Sequence, residues 1–443
     1  MRRRASWRAI TLVVAALTQV AHADPDPDDP DTAAAPAPDP TPDQAPQQPA
    51  KLDLAKPTTQ PAGPKVPEGE DKTGTEVGVL PLIGGDTDNG FGVGAIGSIA
   101  SFDATHTPYK WQLQFATFIA VKDSITSPSY EDAFVNLIAP QMLDGKLRLE
   151  IRPSFTRETA LRFYGLGDNV QIPANTDRTR DFYTRLHPQL AVLTRWKLNA
   201  KSPWSVIAAS QYLYNRVSED PTSTLAMQLP MIDPKADTPH SVLRLETGAA
   251  YDSRDSEIAP SSGMFHTFEV RMSTKLGSEF PYQYEQGDIQ LRFYKTVMPK
   301  KMVLAVRVVG DFMLGDVPFY ELSRYEDTSA IGGSLGVRGV PGYTFYGKVK
   351  AFANVELRTA ITNFNLFDKK YKFGIATFID GGRIWSDLRN SRPDLDGTGL
   401  GLHYGVGAGI RLQQGRAFLV RADLAWSPDA TPIAGYVLAD HIF

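Results

Sequence analysis

From Gly74 onward, apolar and polar residues alternate one by one along the chain, and this period of two predicts β-strands rather than helices. The clearest case is Leu402–Leu412, where every second residue is apolar and the residues between them are His, Gly or Arg. Phe418–Trp426 and Leu147–Arg152 follow the same pattern, with charged side chains on the second face. The sequence therefore predicts long strands with one apolar face and one polar face.

Such strands fit two folds, which differ in the face that is buried. In a soluble sandwich the apolar face packs inward, whereas in a membrane barrel it meets lipid and the charged face lines the lumen. The alternating segments run ten to fifteen residues, which exceeds the length of about 5–6 residues typical of soluble strands. Aromatic residues also cluster near the predicted strand ends, as interfacial belts require. These are Tyr109, Trp111, Trp196, Trp204, Trp385 and Trp426. The barrel is therefore favoured.

The first residues, 1–23, have the features of a secretory signal peptide. Four arginines begin the chain, an apolar run covers Ala9–Val20, and Ala21-His22-Ala23 is a small-x-small cleavage site. The apolar run is too short to span about 30 Å of hydrocarbon. The chain contains no cysteine, which excludes disulfides, thiolate metal sites and cysteine nucleophiles.

Residues 24–73 are predicted to form a disordered segment that is rich in Pro, Asp and Ala. Thirteen of the 33 prolines lie in Asp24–Lys72, and eleven acidic residues stand there against four lysines, a net charge of about −7. Such a composition buries too little apolar surface to offset chain entropy. We expect this acidic segment (Asp24–Lys72) to be dispensable for folding of the remainder, residues 74–443.

Sixteen alternating segments can be counted in residues 74–443. Sixteen is an even number, as single-chain bacterial barrels require. The fold class is therefore predicted to be all-β, a 16-stranded antiparallel transmembrane barrel. The segments begin near Glu76, Phe91, Lys110, Asp132, Leu147, Phe182, Trp204, Val242, Met264, Gln283, Met302, Ala351, Tyr371, Leu402, Phe418 and Gly435.

A glycine-rich loop lies between the eleventh and twelfth segments and contains Val337-Arg338-Gly339. The next segment holds Glu356 and Arg358, and Phe378-Ile379-Asp380-Gly381-Gly382 follows. In this order the motifs resemble the outer-membrane barrel of the bacterial surface antigen family, to which BamA and TamA belong. The resemblance implies that the loop folds back into the barrel. It also implies a site in which the loop meets lumenal partners, made of Arg338, Gly339, Asp380, Gly382 and Glu356.

Two further stretches carry the resemblance, and two features depart from it. Phe163–Asn169 is similar to the Tyr-Gly-x-Gly-Asn turn of the family, and Asp252–Asp255 is similar to its Asp-x-Arg-Asp hairpin. Val340 follows the Arg-Gly pair where the family usually has Phe or Tyr. The family's assembly and translocation proteins carry periplasmic POTRA repeats before the barrel, whereas the acidic segment occupies that place here.

The resemblance implies a role in protein assembly or translocation at the bacterial outer membrane, with a periplasmic N-terminal segment. The alternative is a passive pore or structural surface barrel without insertase activity. The implied partners are the lipid bilayer, the host barrel-assembly machinery and a protein client of unknown identity. Nucleic acid is not expected, because basic and acidic residues alternate instead of clustering.

Other chemistry is disfavoured. No hydrolase, metalloprotease or phosphate-loop motif occurs, so the chain is predicted not to be an enzyme and to need no cofactor. Asp86–Gly90 and Asp394–Gly397 resemble the start of calcium-binding loops. Both lack the acidic residue that ends such a loop, so no metal is expected. Charges of both signs on the lumenal face favour a neutralising network over a selective pore. They are Arg148, Glu150, Arg152, Arg244, Glu246, Arg307, Asp311, Arg358, Arg411, Arg421 and Asp423.

The last residues are expected to act as the signal that the host assembly machinery reads. Val437, Ala439, His441 and Phe443 are predicted to share one face of the final strand. Phe443 is expected to stand in the aromatic belt and to carry most of the recognition, because His441 is a poor substitute for a bulky apolar residue.

Overall fold

The computed structural model describes residues 73–102, 109–122, 125, 127–172, 179–199, 202–256, 259–366, 369–414, 418–430, 433–439 and 441–443. The predicted signal peptide, 1–23, and the acidic segment lie outside the described residues, so both remain predictions. Among the described residues, no helix is long and apolar enough to cross a membrane.

The described strands form one closed antiparallel barrel of sixteen strands, as predicted. They are β1 (Gly74–Asp86), β2 (Gly90–Phe102), β3 (Trp111–Val121), β4 (Tyr130–Met142), β5 (Leu147–Arg162), β6 (Phe182–Leu186 and Gln189–Lys197), β7 (Trp204–Glu219), β8 (His240–Asp252), β9 (Gly263–Ser273), β10 (Tyr284–Met298), β11 (Met302–Gly315), β12 (Val349–Leu366), β13 (Lys369–Trp385), β14 (His403–Gln414), β15 (Phe418–Trp426) and β16 (Ala434–Ala439). All sixteen predicted starts lie within two residues of the observed ones.

Strand β6 is interrupted at His187 and Pro188 but occupies one position in the barrel. Both of its segments lie between β5 and β7. Proline has no backbone N–H to donate to a neighbouring strand. The Pro188 carbonyl instead accepts from Tyr214 N–H, and His187 N–H donates to the Thr156 carbonyl. The interruption of β6 therefore removes few of the hydrogen bonds between β6 and its neighbouring strands.

The apolar face of each strand points outward, and the polar face is buried in the lumen. In β14, Tyr404 and Val406 are exposed on the outside, whereas Arg411 is only 5% exposed. A soluble protein shows the reverse distribution, so the exposure pattern is that of a membrane barrel. Trp196 and Trp204 at one end and Trp426 at the other are also exposed outward. Tyr109, which the sequence placed in the same belt, is buried instead.

The connection between β11 and β12, residues 316–348, folds into the lumen and is called the inserted loop below. It contains a short hairpin, Arg324–Tyr325 with Thr328–Ser329. Its apolar side chains, among them Ile331 and Val340, form a core with Phe352 and Ile384 of the barrel wall. The barrel end at which this loop begins is called the loop end, and the other end, where β1 starts, is called the opposite end.

Two short helices lie at the loop end. Helix α1 (Thr224–Ile232) joins β7 to β8, and Ser223 caps it by accepting from Ala226 N–H. Leu225 and Leu229 of this helix pack into an aromatic cluster that includes Tyr320 and Tyr346. Helix α2 (Pro393–Asp396) lies between β13 and β14. The loop end is therefore packed as a hydrophobic core.

The barrel closes between its first and last strands, and this closure is called the seam. In the described part of the chain, β1 pairs with β16 at two positions, Gly85 with Val437 and Asp86 with Tyr436. By contrast, β1 pairs with β2 at every one of its 13 residues. The seam is therefore joined at the loop end, while Gly74–Gly84 present a strand edge toward the opposite end.

Candidate functional site

The tip of the inserted loop places Arg338 against three carboxylates of the barrel wall. Its Nε and one Nη donate to the two Asp380 oxygens at 2.7 and 3.0 Å, a bidentate pair. The other Nη donates to Glu356 at 2.7 Å and to Asp423 at 3.1 Å. The guanidinium also lies 3.4 Å from the centre of the Phe378 ring. The Arg338 side chain has no exposed surface, so every contact lies away from solvent.

Three more arginines surround the same carboxylates. Arg411 contacts both Asp423 and Glu356, and Arg421 donates to Asp423 at 2.7 Å. Arg358 donates to Glu356 at 2.8 Å. Positive and negative side chains thus alternate across β12, β13, β14 and β15. These ion pairs form a mutually neutralising network of the kind that the charges of both signs on the lumenal face favoured in the sequence. The network connects the loop tip to four strands.

The electrostatics of the inserted loop stabilise the charged forms of its residues. Burial acts to lower the pKa of Arg338, but Asp380 and Glu356 outweigh it and raise that pKa above its usual value. In the same loop, burial acts to raise the pKa of Glu321, yet Arg244 and Arg185 lower it to about 2. Both groups therefore remain ionised at neutral pH, as lasting ion pairs require.

Glycines on the lumenal face of β14 make room for the loop tip and for the wall side chains that contact Arg338. A Cβ on Gly405 would lie 1.8 Å from the Arg338 carbonyl oxygen, and one on Gly407 would lie 2.4 Å from the Phe378 ring. A third, on Gly409, would lie 2.0 Å from an Asp423 carboxylate oxygen. Gly339 N–H donates to the Tyr436 hydroxyl on β16. At Gly405 the loop backbone therefore lies closer to β14 than a residue with a Cβ would allow, while Gly407 and Gly409 leave space for the Phe378 and Asp423 side chains that contact Arg338.

The inserted loop has further anchors beyond its tip. Asp88, in the turn between β1 and β2, accepts from Gly342 N–H and from Arg162. Glu158 on β5 contacts Arg324 and accepts from the Tyr343 hydroxyl. Asp88 and Glu158 each have a cationic partner, so the loop is fixed by charge pairs on both sides of the lumen.

A family model described as the Omp85 superfamily domain matches residues 135–433. The chain belongs to the Omp85 superfamily. Its membership, together with the barrel, places it in the bacterial outer membrane. The predicted resemblance to the barrels of BamA and TamA is confirmed. A search of curated proteins finds no match.

Two solved Omp85-type barrels have a similar fold. BamA from Haemophilus ducreyi, in a form lacking POTRA domains 1–3, is 13% identical and gives a TM-score of 0.56, with 86% of this chain and 74% of that chain covered. CdiB from Escherichia coli is 12% identical and gives a TM-score of 0.55, with 86% and 64% covered. At these identities the likeness concerns the fold. The present chain spans less than two thirds of the CdiB chain.

Other Omp85-like motifs of the sequence also have defined places. In the Phe163–Asn169 turn, Asp168 accepts from His403 on β14 and lies 3.6 Å from Arg383. In the Asp252–Asp255 hairpin, Arg254 makes a bidentate contact with Asp252. Asp86, in the first calcium-like stretch, accepts from the N–H groups of Asp88 and Asn89. These contacts shape the turns.

The predicted placement of the last residues is wrong. Strand β16 ends at Ala439, and Phe443 is fully buried in the lumen instead of standing in the outer belt. It packs with Ile442, Tyr294 and Ala305, and its carbonyl accepts from Arg358. The chain turns inward because the arginines of β11 and β12 offer both a hydrogen bond and ring contacts. The predicted signal role of Phe443 and His441 is not tested by this geometry.

We expect Phe443→Ala to destabilise the barrel by about 3–5 kcal/mol, because it removes a buried ring and leaves a cavity beneath Arg307 and Arg358. The measurement is the urea midpoint of the barrel refolded in detergent. The matched control is Phe268→Ala, since Phe268 is exposed on the outer face. Equal midpoints for the two variants would show that the Phe443 ring contributes nothing to packing.

The sequence did not single out the β14 glycines or Asp88 as parts of this site. The signal for the glycines was present, because Gly405, Gly407 and Gly409 alternate with apolar residues and therefore share the lumenal face. Three small residues in a row on a charged face indicate close approach of another backbone. Asp88 gave no such signal, since an Asp in a hairpin turn is common.

Proposed function

We propose that this barrel takes part in assembling or translocating proteins at the outer membrane, with its opposite end and N-terminal segment on the periplasmic side. The single observation that supports this proposal most is the short seam. Gly74–Gly84 of β1 carry backbone N–H and C=O groups that are costly to leave unpaired in lipid. An open strand edge is a template for another strand. A client segment passing through the seam would satisfy these groups. The proposed role is not enzymatic.

Space lies directly inside this edge. A cavity of about 180 Å³ is bounded by Leu82 and Ile83 of β1, by Val437 and Leu438 of β16, and by the inserted loop. Its wall also includes polar groups of the lumen, such as Glu158. A strand edge with room on its inner side can rotate or admit a partner without first displacing packed side chains.

Locking the seam tests the proposal. If the register of Gly85 with Val437 continued, Ile83 would face Ala439 across the seam. Because the chain has no cysteine, the double variant Ile83→Cys with Ala439→Cys provides a single crosslink. Cells that depend on the locked barrel should lose proteins from the outer-membrane and secreted fractions, as measured by quantitative proteomics, and regain them on reduction.

The control is a disulfide at the neighbouring strand pair. Ile83 and Val93 are opposite each other in β1 and β2, so Ile83→Cys with Val93→Cys introduces the same chemistry without joining the seam. We expect this variant to behave as the wild type. If the locked and control barrels give the same protein profiles, the proposal fails and the alternative, a passive or structural barrel, is favoured.

A further inference from the structure

The cavity that lies inside the seam, called the seam cavity below, is bounded by several hydrogen-bond acceptors. Among the described residues that bound it, four are acidic and none is lysine or arginine. The acidic residues are Asp86, Asp88, Glu158 and Asp327. Its volume is about 180 Å³, and a cavity of about 150 Å³ already admits a molecule as large as benzene. The seam cavity therefore has room for a small organic group.

One oxygen of Asp88 is directed toward the seam cavity and lacks a donor. Asp88 is only 5% exposed, and its Oδ1 accepts from Arg162 at 2.8 Å and from Gly342 N–H at 3.0 Å. Its Oδ2 is buried and has no hydrogen-bond partner among the described residues. This Oδ2 would lie 3.8 Å from a Cβ on Gly333, which also bounds the cavity. Because buried polar atoms nearly always have a hydrogen-bond partner, a donor is expected here.

The His187 ring provides a second acceptor. Its Nε2 lies 2.9 Å from a Glu158 carboxylate oxygen, and Glu158 also pairs with Arg324. Because an ionised carboxylate only accepts, Nε2 carries the proton, and Nδ1 of the neutral ring is an acceptor. Nδ1 is buried and has no partner in the part of the chain that the structure describes. Two acceptors without donors therefore belong to residues that bound the same cavity.

The charges around the cavity favour a cationic donor over a neutral one. Three of the four acidic residues pair with an arginine that does not itself bound the cavity. The fourth, Asp86, is 5% exposed, and it accepts from neutral N–H groups of Asp88 and Asn89. Lys122 donates to backbone carbonyls of the same turn. A buried carboxylate whose donors are neutral is stabilised by a cation nearby.

The wall beside these acceptors is apolar. Leu82 on β1, Phe118 on β3, Leu335 in the inserted loop and Val437 on β16 all bound the cavity. An alkyl stem packs on such a surface while a charged head reaches the polar groups, as in lysine and arginine side chains. A ligand that suits the whole cavity therefore carries a cationic head on an apolar stem.

We propose that the seam cavity binds an organic cation, an ammonium or guanidinium group on a short alkyl stem. The head donates to Asp88 Oδ2 and His187 Nδ1 and lies near Asp86, while the stem packs against Leu82. A free alkylamine offers this chemistry, and so does a lysine or arginine side chain of a strand beside β1. Because Leu82 faces the lumen, a strand residue directly opposite it would share that face. This second source rests on the proposed function, whereas the first does not.

Binding of butylguanidinium to the mature chain, refolded in detergent, tests the site. Butylurea is the matched control, because it has the same shape without the charge. We expect butylguanidinium, measured by isothermal titration calorimetry, to bind at least about tenfold more tightly than butylurea, since hydrogen bonds between charged groups are the stronger ones. Equal affinities of the two compounds, or no binding of butylguanidinium, would overturn the inference.

Two variants of β1 locate the ligand. Leu82→Trp fills the cavity from the lumenal face and should abolish butylguanidinium binding. Ile83→Trp changes the neighbouring position, which is 77% exposed on the outer face, and should bind as the wild type does. Heat-modifiable mobility verifies that both variants fold. If Leu82→Trp binds butylguanidinium as tightly as Ile83→Trp, the ligand does not occupy the cavity and the inference is wrong.

The crosslinked seam separates the two sources of the cation. The peptide Thr-Val-Thr-Lys-Thr-Val-Thr is compared with the same peptide carrying norleucine in place of lysine. If a strand delivers the cation, the reduced Ile83→Cys with Ala439→Cys barrel should prefer the lysine peptide, and the oxidised barrel should bind neither peptide. Butylguanidinium should bind both forms, because it does not pair with β1. Binding of butylguanidinium without a preference for the lysine peptide would assign the cavity to a free cation, while the proteomic profiles decide the proposed function separately.

Discussion

Replacing Arg338 by alanine should lower the free energy of unfolding of the barrel by about 3–5 kcal/mol, because it leaves buried carboxylates short of a cation. Asp380 would lose its bidentate partner, and no other arginine donates to it among the described contacts. Glu356 and Asp423 would keep Arg358, Arg411 and Arg421. Most of the lost stabilisation should therefore come from the unpaired Asp380 on β13.

The measurement is the urea midpoint of refolded barrel in detergent, read by heat-modifiable mobility. Arg338→Lys retains the charge but cannot make the bidentate contact, so its midpoint should fall between those of the wild type and Arg338→Ala. Asp380→Asn with Arg338→Ala should recover part of the loss, since the unpaired charge is then absent. A wild-type midpoint for Arg338→Ala would mean that the network does not hold the loop.

The second large effect is expected from Gly405→Val, which should expel the loop tip from its place against β14. The new Cβ would lie 1.8 Å from the Arg338 carbonyl oxygen. Because that oxygen belongs to the backbone, it cannot move without the whole tip. Overpacking of a core typically costs about 1–3 kcal/mol and sometimes more, and the loss of the ion pairs adds to it.

Trypsin measures the displacement, because Arg338 is fully buried in the wild type and becomes accessible once the tip leaves the wall. Gly310→Val is the matched control, since a Cβ at Gly310 of β11 meets nothing within 4 Å. The control should resist cleavage, whereas Gly405→Val should be cut in the loop. Equal resistance of the two variants would contradict the proposed packing.

The strands and their faces could be predicted from the sequence because the signals are local. A period of two separates the outer from the lumenal face of β14 within eleven residues, and turn residues mark its ends. The resemblance added the loop and its partners, so Arg338, Asp380 and Glu356 could be named before their contacts were seen. For Asp423 the sequence predicted only that the side chain faces the lumen. Alternation shows on which face of a strand a residue lies, but not which side chain it contacts.

Other features depend on contacts between distant residues and could not be predicted. The path of Phe443 is decided by Arg307 and Arg358, which lie more than eighty residues earlier and face it only after the barrel has formed. The length of the seam likewise depends on whether β16 continues beside β1 or turns inward. Alternation is compatible with either path.

The inserted loop touches both sides of the seam. Through Gly342 it holds Asp88, next to the end of β1, and through Gly339 it holds Tyr436 on β16. The first and last strands are thus fastened to one another by a third part of the chain. These contacts join residues 254 and 97 positions apart, so they form after the long chain between them has been ordered. During biogenesis, loop insertion and closure of the cylinder should therefore be a single late event, and a barrel whose loop is outside should remain an open sheet.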